Sequence, residues 1–143
     1  MTVNTYSPWD ELSRLPHIDL VWRRMSDRLG EYRHHAREIV LDPRMPRRQQ
    51  RAVLCHELRH AEAGDVHTDC GRVNLRQEQR ADTNAARLLI NIHDLADALA
   101  LHDQHVSASA VELRVSDAML RVRLRRLHPN ERLFLTHRFG GTH

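Results

Sequence analysis

The sequence predicts an α+β fold: a small antiparallel sheet, two helices that carry a metal site, and a helical C-terminal extension. Three observations support it. Residues 17–42 hold three short strand-like stretches separated by Gly30 and a polar turn. Residues 46–64 and 78–92 then switch to apolar side chains at helical spacing. The C-terminal third also reads as helical, with an apolar stripe that ends before Pro129.

Residues 8–15 read as a short helix, and 17–22, 31–35 and 38–42 as the three strands. If strand 38–42 lies at the sheet edge, it can hydrogen-bond an extended peptide by strand addition; an internal position fits its pattern equally well. It leads into a helix bounded by two punctuating residues. Pro46 suits a first helical position and Gly64 the residue just past the end. Between them Leu54, Leu58 and Ala61 recur on one buried face.

That helix carries the most informative stretch, His56-Glu57-Leu58-Arg59-His60. Residues four apart project from one helix face one turn apart, so His56 and His60 can share one metal ion while Glu57 flanks it. Two neutral imidazoles leave zinc positive enough to acidify water, and an adjacent carboxylate can take the proton. The pentapeptide therefore points to a zinc hydrolase. Cys55 lies about 100° from His56, on the side away from Glu57, and is expected in the core.

A third ligand is expected from the next helical pattern, which opens at Glu78 and carries Ala81, Ala85, Leu88 and Ile92 as its apolar stripe. Glu78 and Asp82 lie one turn apart on its inward side. Glu78 can reach the metal, and Asp82 can accept the second ring N–H of a ligating histidine, fixing its tautomer. As isolated residues, both also fit solvated helix charges.

Taken together, Ile39-Val40-Leu41-Asp42, the run Arg51–His60, and Glu78-x-x-Ala81-Asp82-x-x-Ala85-Ala86-x-Leu88-Leu89 resemble the ImmA/IrrE family of metallopeptidases over about residues 17–92. The resemblance implies a zincin-like fold with His56, His60 and Glu78 as zinc ligands and Glu57 as the catalytic carboxylate. It implies a zinc-dependent endopeptidase whose protein substrate is a helix-turn-helix repressor of a phage, mobile element or stress regulon. Arg59 stands where the family usually has Gly, and Asn84 where an aromatic is common. The longer HExxHxxGxxH pattern fails, since it needs Gly and His where the chain has Ala63 and Val66. His67, Asp69 and Cys70 remain alternative third ligands. His34, His35, His102 and His105 read as surface residues, any of which could donate to an oxyanion.

At 143 residues, 41% hydrophobic and 29% charged, the chain fits one domain, 1–143, with a core at about 17–92 and the extension at about 93–143. No run of 18 apolar residues and no apolar leader appear, so the expectation is a cytoplasmic protein without a membrane partner. All 22 basic residues are Arg, yet the formal net charge is only +3. A rival reading starts from the C-terminal third. There Ser109–Glu112 reads as a capping box, and after a turn at 115–116 the stripe Leu120, Leu124, Leu127 shares its helix with Arg121, Arg123, Arg125 and Arg126. Two short helices around a turn, the second rich in arginine, resemble a DNA-reading pair. The alternative function is accordingly a DNA-binding or repressor-binding regulator whose structural zinc is closed by Cys70 or His67. The four arginines spread around the helix, which favours packing and argues against direct nucleic-acid binding.

Overall fold

The computed structural model describes residues 5–140. The chain divides into two compact units, one spanning Tyr6–Ala85 and one built mainly from the residues that follow. The first contains α1 (Pro8–Ser13), β1 (Asp19–Trp22), β2 (Gly30–Arg33), β3 (Glu38–Leu41), α2 (Arg47–Ala63) and most of α3 (Gly71–Leu89). Helix α1 starts as its sequence dictates: the Ser7 side chain accepts from the Asp10 N–H, Pro8 follows the cap, and Asp10 and Glu11 face the positive helix end.

The sheet is mixed, with the order β1-β3-β2, and the all-antiparallel expectation is corrected. Strand β2 pairs antiparallel with β3, whereas β1 pairs parallel with it. The physical reason lies in residues 23–29. Arg23 N–H bonds Leu41 O at 3.0 Å and Asp42 N–H bonds Leu29 O at 2.9 Å, so the segment passes over the end of β3 and sets β2 on its far side. Residue alternation defines which faces are apolar; it does not define strand direction. The crossover is pinned by the buried Asp42 carboxylate, which accepts from Met25 N–H at 2.9 Å and from Arg44 N–H at 3.0 Å. The Arg44 guanidinium beside it holds Asp42 well below the usual carboxylate range. Strand β3 is therefore internal, with Ile39, Val40 and Leu41 wholly buried and both edges paired. It cannot accept a peptide by strand addition.

Ile18, Ile39, Leu41, Met45, Leu54 and Leu58 form the core of this unit, so α2 packs its apolar face on the sheet. Pro46 is the N-cap residue of α2, and Gly64 ends the helix at φ 68°, a left-handed conformation that favours glycine. Gly64 N–H bonds Ala61 O at 3.1 Å and Asp65 N–H bonds His60 O at 3.0 Å, turning the chain back on the last helical turn. Helix α3 begins at Gly71, well before Glu78, which is thus interior to the helix instead of opening it. Its first turns carry no buried stripe, since Arg72, Val73, Leu75 and Arg76 are all exposed, and periodicity could not reveal them. It also stops at Leu89, so Ile92 belongs to the following helix.

The second unit contains α4 (Ile92–Leu101), α5 (Val106–Leu113), α6 (Asp117–Arg125) and α7 (Pro129–Arg138). The capping box expected at Ser109–Glu112 is corrected: His105 caps α5 by accepting from Ala108 N–H at 3.1 Å, and Ser109 is buried inside the helix. A Ser-x-x-Glu spacing serves as a cap only where the Ser backbone leaves helical geometry. Arg123 is likewise not a surface residue. Its buried guanidinium donates to Ile90 O at 2.7 Å and to both Glu131 oxygens at 2.8 and 2.6 Å, while Arg121, Arg125 and Arg126 stay exposed. Among the described residues, no helix is long and apolar enough to cross a membrane.

Candidate active site

Helical spacing on α2 brings the His56 and His60 Nε2 atoms to 3.0 Å from each other. Helix α3 supplies Glu78, whose Oε2 lies 2.9 Å from His56 Nε2 and whose Oε1 lies 3.1 Å from His60 Nε2. One turn further on, Asp82 Oδ1 lies 2.8 Å from His56 Nδ1. The second imidazole has its own carboxylate partner, absent from the sequence reading: Asp65 Oδ2 lies 2.8 Å from His60 Nδ1. Its signal was present in Gly64, because a left-handed stop folds the next residue back beneath the last turn of the helix. Each ring therefore has Nδ1 tied to a carboxylate and Nε2 turned toward the other ring and Glu78.

Two carboxylates flank this pair in contrasting surroundings. Glu57 is 7% exposed, and burial pushes its carboxyl above the ordinary value against the opposing pull of the two imidazoles. The Tyr32 backbone N–H also donates to it. The Glu78 side chain is 57% exposed, and its hydrogen bond to His56 holds it below the ordinary value. His56 itself is raised to about 10: burial opposes its charge, but the bonds to Asp82 and Glu78 outweigh that burial.

Strand β2 approaches α2 closely because residue 30 is glycine. A Cβ there would collide with Val53 Cγ1 and stand 3.4 Å from Glu57 Cγ. The β2–β3 register pairs Glu31 with Val40 and Gly30 with Leu41, and Asp42 N–H bonds Leu29 O. In this alternation the backbone groups of Gly30 and Tyr32 point away from β3, along the open edge of the sheet. A cleft of about 420 Å³ runs past this edge, lined by Asp27, Arg28, Gly30, Glu31, Tyr32, His67, Asn74 and Gln77 with His56, Glu57, His60, Asp65 and Glu78. Of the alternative third ligands, His67 lines the cleft, whereas Asp69 and Cys70 do not. Cys55 is fully buried and its thiol is pushed up by desolvation, as a core residue. Arg59 turns away from the cleft and is buried between Glu11 and Glu62.

The donor set suits a divalent ion. Ligands about 2.0–2.1 Å from a tetrahedral ion stand roughly 3.3 Å from one another, close to the 2.9–3.1 Å found among the His56, His60 and Glu78 donors. Counted by distance alone, His56, Glu57 and His60 also offer donor atoms within 4.8 Å of one another. Of the two glutamates, it is Glu78 that touches both Nε2 atoms directly and is held below its ordinary value by them; Glu57 is the buried, more basic carboxylate.

No curated protein matches the chain. The family model for the IrrE N-terminal-like domain of the M78 peptidases matches residues 18–125, well over half of its length. That match runs beyond the residues 17–92 that carry the sequence resemblance, through α4 and α5 and to the last residue of α6. It takes in both histidines, Glu57, Glu78 and the strands beside them, and so the chain belongs to the IrrE N-terminal-like family of M78 metallopeptidases.

Proposed function

We propose that this chain is a zinc-dependent endopeptidase in which His56, His60 and Glu78 hold the ion and Glu57 moves the proton. The carrying observation is the convergence of two imidazole Nε2 atoms and one carboxylate at 2.9–3.1 Å, with each Nδ1 already held by a carboxylate. Zinc bound there supplies a Lewis acid that polarises a peptide carbonyl and acidifies water. Glu57 takes the proton of the attacking water on its carboxylate and returns it to the leaving amine. Burial suits it to both steps, because a carboxyl raised toward neutrality accepts and releases protons more readily near pH 7. Tyr32 N–H orients that carboxylate. Asp82 keeps His56 in the tautomer that presents Nε2.

The open edge of β2 takes the substrate-binding role considered in the sequence for strand 38–42. The outward backbone groups of Gly30 and the outward C=O of Tyr32, whose N–H is taken by Glu57, can pair with an extended peptide and lay it past Glu57. The family resemblance further suggests a helix-turn-helix repressor as the protein substrate. Metal content is the direct test: purified protein is expected to hold about one zinc, and His60→Ala to lose most of it. Retention of stoichiometric zinc by that variant overturns the ligand set.

A further inference from the structure

We propose that Asp65 and Arg80 form a positioning pair that sets the strength of metal binding through His60. The inference rests on the metallopeptidase reading above and adds two residues to it. Asp65 is the node. Its backbone N–H closes the C-terminal turn of α2 on His60 O at 3.0 Å, and its Oδ2 meets His60 Nδ1 at 2.8 Å. The same oxygen receives Nη2 of Arg80, which reaches across from α3. The Asp65 side chain is only 8% exposed, whereas Asp82, the corresponding partner of His56, is 52% exposed.

These facts divide the two outer carboxylates physically. Asp82 stands largely in solvent, which screens it and lets it adjust. Asp65 is enclosed, and a buried carboxylate without a cation opposite is costly; Arg80 supplies that cation. A carboxylate held from two directions cannot follow the ring, so the His60 imidazole is fixed against it with Nε2 facing His56 and Glu78. Arg80 lies on the helix that carries Glu78, and its grip on Asp65 ties the end of α2 to α3. The separation of His60 from Glu78 is then set by one strut. Asp65 acts by orienting the ring, and Arg80 acts by orienting Asp65; neither touches the ion or the substrate.

The test compares Asp65→Asn, Arg80→Gln and the double variant. Zinc affinity is measured by competition with a chromophoric chelator, and the absorption of the cobalt(II)-loaded proteins reports ligand geometry. Loss of such an outer partner commonly weakens metal binding about 10–100-fold. Asp65→Asn is expected to fall in that range and to alter the cobalt spectrum, with Arg80→Gln weakening binding by less. Because Arg80 works through Asp65, adding Arg80→Gln to Asp65→Asn should cost nothing further. Far-UV circular dichroism of the metal-free proteins identifies any variant that fails to fold; Asp65→Glu, which keeps the charge and shifts its position, then takes its place and should also weaken binding. Wild-type affinity in folded Asp65→Asn, or a full additional loss in the double variant, overturns the proposal. Absence of zinc binding by the unaltered protein overturns the metallopeptidase reading instead, so the two failures are distinguishable.

Discussion

Gly30→Ala tests how the sheet edge and the proposed catalytic carboxylate, Glu57, are held together. The new methyl would collide with Val53 Cγ1 and stand 3.3 Å from Leu41 Cδ2 and 3.4 Å from Glu57 Cγ. Overpacking of this kind costs about 1–3 kcal/mol, while the lower chain entropy of unfolded alanine returns about 0.4–1 kcal/mol. The net loss is roughly 1–2 kcal/mol, or a melting temperature lower by several degrees in a chain of this size. The effect on activity should be larger. Strand β2 must move away from α2 by something on the order of 1 Å, carrying the Tyr32 N–H off Glu57, and a displacement of that size can cost about 10²-fold in rate. Thermal melts and cleavage of a quenched-fluorescent peptide pool read the two effects. Val53→Ala removes the colliding carbon, so the double variant is expected to regain activity while remaining less stable than wild type. Wild-type activity in Gly30→Ala, or no recovery in the double variant, refutes the argument that this contact sets the geometry.

Glu57→Gln should retain zinc and fold but lose cleavage by about 10²–10⁴-fold, measured on the same peptides; undiminished proteolysis removes Glu57 from its role. The Arg123–Glu131 pair should make stability depend on acid. Glu131 is lowered from 4.5 to about 2, first through its hydrogen bonds with Arg123, so the stabilisation is fully present above pH 4.5 and lost as pH falls toward 2. Discounted for residual exposure it amounts to about 2–3 kcal/mol, and urea denaturation of Glu131→Gln should show that deficit at pH 7 and well under half of it at pH 3. A deficit that does not change with pH contradicts the pairing. Replacing Arg121, Arg125 and Arg126 should leave metal content and cleavage unchanged, and the intact chain should show no sequence-selective duplex binding in a salt titration; selective binding abolished by those changes restores the regulator reading.

What the sequence disclosed follows from which interactions are periodic. His56, His60, Glu78 and Asp82 lie on helices, where spacing alone fixes the face, and the structure does bring the four side chains together. Strand direction depends on where residues 23–29 run, and no short-range pattern encodes that path. Asp65 lies outside any helix and reaches His60 only through the turn that Gly64 imposes. Arginine burial is the feature least legible in the sequence. Arg59 and Arg123 are as charged in the sequence as Arg121 or Arg125, yet each is buried against a carboxylate of another helix, Glu11 and Glu131 respectively. Nothing local distinguishes a solvated guanidinium from a strut.

The same distinction governs the two glutamates of the site. Glu57 and Glu78 are chemically identical and both lie near the histidine pair, so identity cannot assign one to the ion and the other to the proton. Environment separates them. Glu78 is held below its ordinary value, first by its hydrogen bond to His56, and touches both Nε2 atoms, which makes it the better anionic donor. Glu57 is enclosed by β2 and α2, and that burial raises its basicity against the weaker opposing pull of the Tyr32 backbone N–H. Neighbouring titratable groups pushed in opposite directions are what acid–base chemistry near neutral pH requires. In this chain a glycine at the sheet edge allows the enclosure of Glu57, so the residue with no side chain contributes to the basicity of the one proposed to move the proton. Burial is the largest cause of the rise, so solvent admitted by Gly30→Ala should outweigh the loss of the Tyr32 N–H and lower the Glu57 carboxyl toward its ordinary value, moving the acid limb of the pH–rate profile to lower pH. An acid limb that stays in place while activity falls would assign the loss to misplacement alone.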